Sequence, residues 1–173
     1  MENFRIVIFL GICIFTSCSL SDKKELKIVP NEKLSMLQVG LPNNWVDISH
    51  ENPNGPPTYV NQYHDEPGVL QISYAEYRSG TIPNPKHGDL IELSKNTGFK
   101  QDFGNLQNTD SGDCAFGIYG FAQFSNQKFP YISVWHLSNG QDFVFATFIC
   151  TEMPDKDEIS DVKLILTSIK KSK

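Results

Sequence analysis

The chain has 173 residues and a formal charge of −5, with 15 Lys and Arg against 20 Asp and Glu. That balance argues against nucleic-acid binding, which rests on neutralising phosphates, and against electrostatic adhesion to anionic lipid. With 12 Phe, 6 Tyr and 2 Trp the chain can build the ring-rich core of one domain, held without a disulfide framework or a metal.

Arg5 precedes an apolar run of ten residues from Ile6 to Phe15, and Thr16-Ser17-Cys18 follows it. A helix needs about 20 apolar residues to cross a bilayer. The run instead has the length of a secretory h-region, ending in small residues before a cleavage point. A cysteine directly after that point resembles the lipobox of bacterial lipoproteins, although Phe15 stands where that family usually has Leu. The resemblance implies cleavage after Ser17, a diacylglycerol on the Cys18 thiol, palmitate-type acyl chains and a place in the cell envelope. An ordinary cleaved signal peptide, with Cys18 incidental, is the alternative. Ser19 replaces the Asp that retains many lipoproteins at the inner membrane, which favours the outer membrane with the domain facing the periplasm. The expected organisation is a signal peptide over 1–17, a lipidated tether over 18–33 and a single domain over 34–173. The tether's polar stretch runs from Ser19 to about Lys27, and ten such residues reach about 35 Å when fully extended.

Leu34 to Leu41 alternates loosely, as a first strand would, and Leu41-Pro42-Asn43-Asn44-Trp45 reads as a turn followed by a buried aromatic. The Pro, Asn and Gly density of 50–57 marks a loop. Tyr59–Tyr63 and Gly68–Tyr77 read as strands around the turn Asp65-Glu66-Pro67-Gly68, with Leu70, Ile72, Tyr74 and Glu76 on one face. After a second loop over 79–88, the pattern predicts a helix over His87–Thr97 with Leu90 and Leu93 inward and Gly98 at C′.

Three strands follow, Cys114–Phe124, Phe129–Leu137 and Phe143–Cys150, joined by turns at 125–128 and 138–141. The second turn contains Asn139-Gly140, a strong hairpin cue. Both faces of the last strand are apolar, so both should be covered. Asp155 to Ile169 reads as the strongest helix, with Asp155 and Glu158 as a capping box and Ile159, Val162, Ile165, Leu166 and Ile169 as its apolar stripe. Its acidic residues Asp155, Asp157, Glu158 and Asp161 suit the positive end of the helix dipole and read as a solvated face.

Of the four cysteines, Cys13 leaves with the signal and Cys18 takes the lipid. The meander puts Cys114 and Cys150 at opposite ends, roughly 30 Å apart along the strands. A disulfide needs Cα atoms within about 7 Å, so both thiols are expected free. No nucleophile elbow, metal-ligand spacing or phosphate-binding glycine loop occurs. His64-Asp65-Glu66 is the densest ligand-like cluster and reads as exposed hairpin chemistry. Asp110-Ser111-Gly112-Asp113 lacks the remaining ligands of a calcium loop. Cys114 or Cys150 beside His136 could form a thiol site, but each reads as a small core residue. No catalytic, metal or cofactor site is expected.

The order of elements resembles the PsbP-like fold. The resemblance covers about residues 35 to 170 and rests on the Leu41-Pro42-Asn43-Asn44-Trp45 turn, the mid-chain helix and the closing Ile165-Leu166-Thr167-Ser168-Ile169. It implies an α+β domain, an antiparallel sheet between helices in an α/β/α sandwich, and carries no transferable catalytic residue. The function expected is a membrane-anchored, non-catalytic binding module for a protein partner, an immunity protein against an incoming toxin being one form. Tyr59, Tyr63, Tyr74 and Tyr77 are the candidate contacts, since Tyr is enriched at interfaces. The alternative is an enzyme or small-ligand carrier whose site is assembled from distant residues.

Overall fold

A computed structural model describes residues 24–76 and 84–172. Strands β1 (Lys27–Ile28), β2 (Leu37–Gln38), β3 (Gly40–Leu41), β4 (Trp45–Asp47), β5 (Thr58–Asn61) and β6 (Val69–Glu76) lead to helix α1 (His87–Lys100). Strands β7 (Asn105–Cys114), β8 (Gly117–Ser125), β9 (Tyr131–Ser138) and β10 (Asp142–Cys150) follow, then helix α2 (Lys156–Ser168) and β11 (Lys170–Lys171). Seven strands form one antiparallel sheet in the order β4-β5-β6-β10-β9-β8-β7, while β1 pairs with β3 and β11 with β2. The class is α+β and sheet-dominated, as the resemblance implies.

Alternation along the strands sorts the core. Leu70, Ile72, Tyr119, Phe121, Trp135, Leu137, Val144, Ala146 and Phe148 pack in one cluster with Val162, Ile165 and Leu166 of α2. Leu34, Leu37, Val39 and Leu41 join the same cluster, so the N-terminal segment belongs to the α2 side. The opposite face carries Ala122, Phe124, Ile132 and Val134, with Phe145 and Ile149 at its margin. Helix α1 packs there, mainly on β8 and also on β9 and β7. The expected cover over both faces of β10 is therefore incomplete, and Phe145 and Ile149 are only half-buried.

Two glycines set how closely α1 lies. A Cβ at Gly120 would run into the backbone of Leu90 and Ile91, and one at Gly98 would run into the Phe124 ring. Gly98 is thus not the C′ residue expected of it. It sits inside a helix that continues to Lys100 and is buried with Leu90 and Ser94 at successive four-residue steps.

Strand β7 also departs from the sequence reading, in which the segment before Cys114 is no strand. Residues 105–114 form the polar edge of the sheet, and Cys114 ends β7 opposite Gly117. Asp110 lies within this strand, and its carboxylate accepts from Tyr119 Oη at 3.1 Å and Lys163 Nζ at 3.1 Å. Cys150 lies opposite Tyr131 at the other end of the sheet, and Cys114 and Cys150 are both free thiols.

The acidic half of α2 is not a solvated face throughout. Asp155 caps the helix by accepting from Glu158 N at 2.7 Å, but Glu158 turns inward, where its Oε1 accepts from Gly68 N at 3.0 Å. Asp161 is 1 % exposed. Its Oδ1 pairs with Lys24 Nζ at 2.6 Å, and its Oδ2 accepts from Asn44 Nδ2 at 3.1 Å and Trp45 Nε1 at 3.2 Å. The Leu-Pro-Asn-Asn-Trp turn is therefore fastened to α2 through one carboxylate. Residues 24–33, expected within the tether, are part of the folded unit because Lys24 binds Asp161 and β1 pairs with β3.

Gly120→Ala is expected to destabilise the domain by about 2 kcal/mol or more, because overpacking against backbone has no rotamer escape. At Gly88 an added Cβ meets nothing within 4 Å, so Gly88→Ala serves as a neutral control. Denaturant titration of the two variants checks this; equal midpoints would contradict the close seating of α1.

Candidate binding cleft

The turn after β5 and the loop between β10 and α2 meet at one end of the sheet. They enclose a cleft of about 370 Å³ lined by His64, Asp65, Glu66, Cys150, Glu152, Met153, Pro154, Asp155 and Glu158. The pairing of β5, β6 and β10 brings 64–66 to 150–158, since Val69 lies opposite both Val60 and Ile149. Asp65, Glu66, Glu152 and Asp155 are exposed, whereas Glu158 is 3 % exposed. His64 Nε2 lies 3.6 Å from Asp155 Oδ2, and Thr151 Oγ1 donates to Glu66 Oε2 at 3.3 Å. Met153 is 65 % exposed at the wall, and Tyr63, next to His64 in the chain, is 76 % exposed.

The electrostatics follow from burial and from crowding of like charge. Burial raises the Glu158 pKa above the ordinary carboxylate value; the Gly68 N–H and His64 oppose that rise, and Asp155 and Asp161 add to it. Burial pushes the Cys150 thiol up to about 12, helped by the Glu158 carboxylate, so the sulfur stays protonated and is a poor nucleophile. Among the described residues no three His, Cys, Asp or Glu side chains converge to hold a metal ion. The cleft's chemistry is that of a cation acceptor with one exposed apolar side chain, Met153, in its wall.

A second pair of reactive residues lies elsewhere and is sealed. Ser94 of α1 donates its hydroxyl proton to the Gly120 carbonyl at 3.1 Å, and its oxygen lies 3.0 Å from His136 Nδ1. With that proton committed, the neutral imidazole carries its own on Nδ1 and donates it to Ser94. The His136 ring centroid is 5.0 Å from that of Phe145. Burial alone pulls the imidazole down to about 4. His136 thus ties α1 to the sheet. It cannot serve Cys114 or Cys150, whose side chains pack in the core on the α2 side.

The four tyrosines proposed as contacts do not form one patch. Tyr59 is 0 % exposed: its register opposite Leu70 and Asp47 turns it into the core on the α2 side, where its hydroxyl has no hydrogen-bond partner among the described residues. Burial drives its pKa far above the ordinary phenol value. Tyr74 is half-buried against the same core, its hydroxyl beside the Asp142 carboxylate. Tyr63 remains an exposed candidate, while Tyr77 and the lipidation residue Cys18 lie outside the described residues. Glu158 and the wall at 150–155 were not legible as site residues, because they meet His64 only through strand pairing.

No family model matches the chain, and no curated protein matches it. Its fold is that of PsbP. The solution structure of cyanobacterial PsbP (CyanoP) from Synechocystis sp. PCC 6803 superposes with a TM-score of 0.54 at 14 % identity, covering 91 % of this chain and 99 % of that one. A crystal structure from Bacteroides thetaiotaomicron VPI-5482 is more distant, with a TM-score of 0.44 at 12 % identity over 86 % of this chain and 48 % of that one.

His136 generates a pH prediction. Its folded value near 4 lies below the ordinary 6.5. The unfolded chain therefore binds the proton more readily, and stability rises with pH between those values. This contribution is complete above about 6.5 and lost as pH falls through 4, with a span of about 3 kcal/mol. Denaturation midpoints from neutral pH down to 4 should converge between wild type and His136→Phe, which has no imidazole to charge. Parallel pH courses for the two proteins would contradict the buried neutral ring.

Proposed function

We propose that the chain is a lipoprotein of the cell envelope whose PsbP-like α/β/α sandwich acts as a non-catalytic binding module, anchored through Cys18. Among the described residues no helix is long and apolar enough to cross a membrane. Attachment in this reading rests on acyl chains, each buried methylene contributing about 0.8 kcal/mol. The observation that carries the binding role is the contrast between its reactive and its accessible groups. Ser94, His136 and Cys150 are buried and committed to packing, whereas Met153 and four carboxylates stand open around the cleft and Tyr63, next to His64 in the chain, is exposed. A protein partner presenting a basic side chain beside an apolar one matches that surface.

The cleft also favours a second reading, a carrier of a small cationic ligand. Its 370 Å³ falls within the size range of small-molecule sites, and its walls come from distant parts of the chain.

One pair of variants tests both parts. Cys18→Ala is expected to move the protein from the membrane fraction to the soluble fraction; retention in the membrane would refute the anchor. In the anchored protein, Glu66→Lys with Glu152→Lys is expected to abolish capture of the partner while leaving the denaturation midpoint unchanged. Capture of a protein sensitive to the reversal supports the first reading, and mass-spectrometric recovery of a bound amine alone supports the second.

A further inference from the structure

The point at which the N-terminal segment joins the domain lies on one side of the sheet. Lys24 is fixed to Asp161 of α2, Lys27 and Ile28 pair with Leu41 and Gly40, and Leu34, Leu37, Val39 and Leu41 pack in the core on the α2 side. The opposite side carries α1, which seats on β7, β8 and β9 and leaves the adjacent strands β10 and β6 less covered. Resting on the lipidation of Cys18 proposed above, we propose that the Lys24–Asp161 ion pair orients the anchored domain. It holds the α2 side toward the bilayer and turns the α1 side, with the open faces of β6 and β10, toward the compartment.

Chain length decides the matter. Five residues, 19–23, separate Cys18 from Lys24, so the two Cα atoms can be at most about 21 Å apart. A helix layer, the sheet and a second helix layer together are about 30 Å thick. A leash of that length, rooted on the α2 side, cannot pass around the edge of the domain to let the α1 side reach the lipid. Without the ion pair the next residue held by strand pairing is Lys27, opposite Leu41. The leash then extends to about 32 Å, which is enough to turn the domain over. The single pair between Lys24 and Asp161 thus separates an oriented domain from one free to roll. The face turned away from the lipid is accordingly the one bearing Glu92, Lys95 and Phe99 of α1, while the cleft at the end of the sheet opens at the rim between the two sides.

The test uses the full lipoprotein, purified with its lipid and reconstituted in nanodiscs that carry a gadolinium-chelate headgroup. Backbone amide relaxation enhancement is read along both helices. Exposed positions of α2 and of β1 are expected to show a several-fold larger enhancement than α1. Lys24→Ala should shrink that contrast, and a variant in which residues 19–23 are repeated, leaving the domain untouched, should remove it. Equal enhancement along the two helices of the wild-type lipoprotein would overturn the orientation while leaving the anchor standing. So would a contrast that survives both variants. Intact mass of the same sample separates the two ideas, because a Cys18 without lipid would defeat the anchored reading and the orientation together.

Discussion

A carboxylate buried at 1 % exposure must find its donors within the protein or lose several kcal/mol of hydration uncompensated. Asp161 finds three, and all three come from the first 45 residues. This one group therefore locks the N-terminal segment to a helix near the C-terminus, and the cover over the α2 side of the sheet depends on it. Trp45 is held by its indole N–H to Asp161 while its ring meets Phe148 at a centroid distance of 6.1 Å, so the polar and apolar anchors are one side chain. Glu158, one turn earlier, repeats the device by binding Gly68 N, which pins the turn that forms one wall of the cleft.

The other side of the sheet is governed by contact without polarity. At Gly120 and Gly98 the helix and the strand meet closely enough that a methyl group is excluded. The Ser94–His136 pair then fills the remaining polar need within the seam. The two sides thus differ in kind. The α1 side is a short-range steric fit, whereas the α2 side is a long-range electrostatic closure that also fixes where the chain leaves the domain.

Much of the fold was legible because alternation and turn chemistry are local. Phe143 to Cys150 alternates with apolar residues on both faces, and Asn139-Gly140 marks its hairpin, so the meander and the free cysteines could be read directly. Edge strand β7 was hidden because Asn105 to Cys114 is almost wholly polar, and an edge strand needs only one partner to satisfy its backbone. Gly98 misled because a glycine near the end of a periodic stretch has two explanations, a left-handed cap or a close approach, and only Phe124 distinguishes them. Asp161 and Glu158 misled for a related reason: charge implies solvent unless a partner is known, and theirs lie 137 and 90 residues away in sequence. The cleft was half visible in His64-Asp65-Glu66, while its other wall waited on the register of β10 with β6. Tyr59 was misread because nothing local shows which face of a short strand meets the core.

A double-mutant cycle between Trp45→Phe and Asp161→Asn, read by denaturant unfolding of the domain, tests the central claim most directly. The first change removes the indole N–H while keeping an aromatic ring, and the second removes the charge while keeping the shape. Hydrogen bonds to a charged group contribute about 1.5–3 kcal/mol, so a coupling free energy above about 1 kcal/mol is expected. Additivity within about 0.5 kcal/mol would mean that Asp161 does not hold the N-terminal segment to α2, and the closure described here would be wrong.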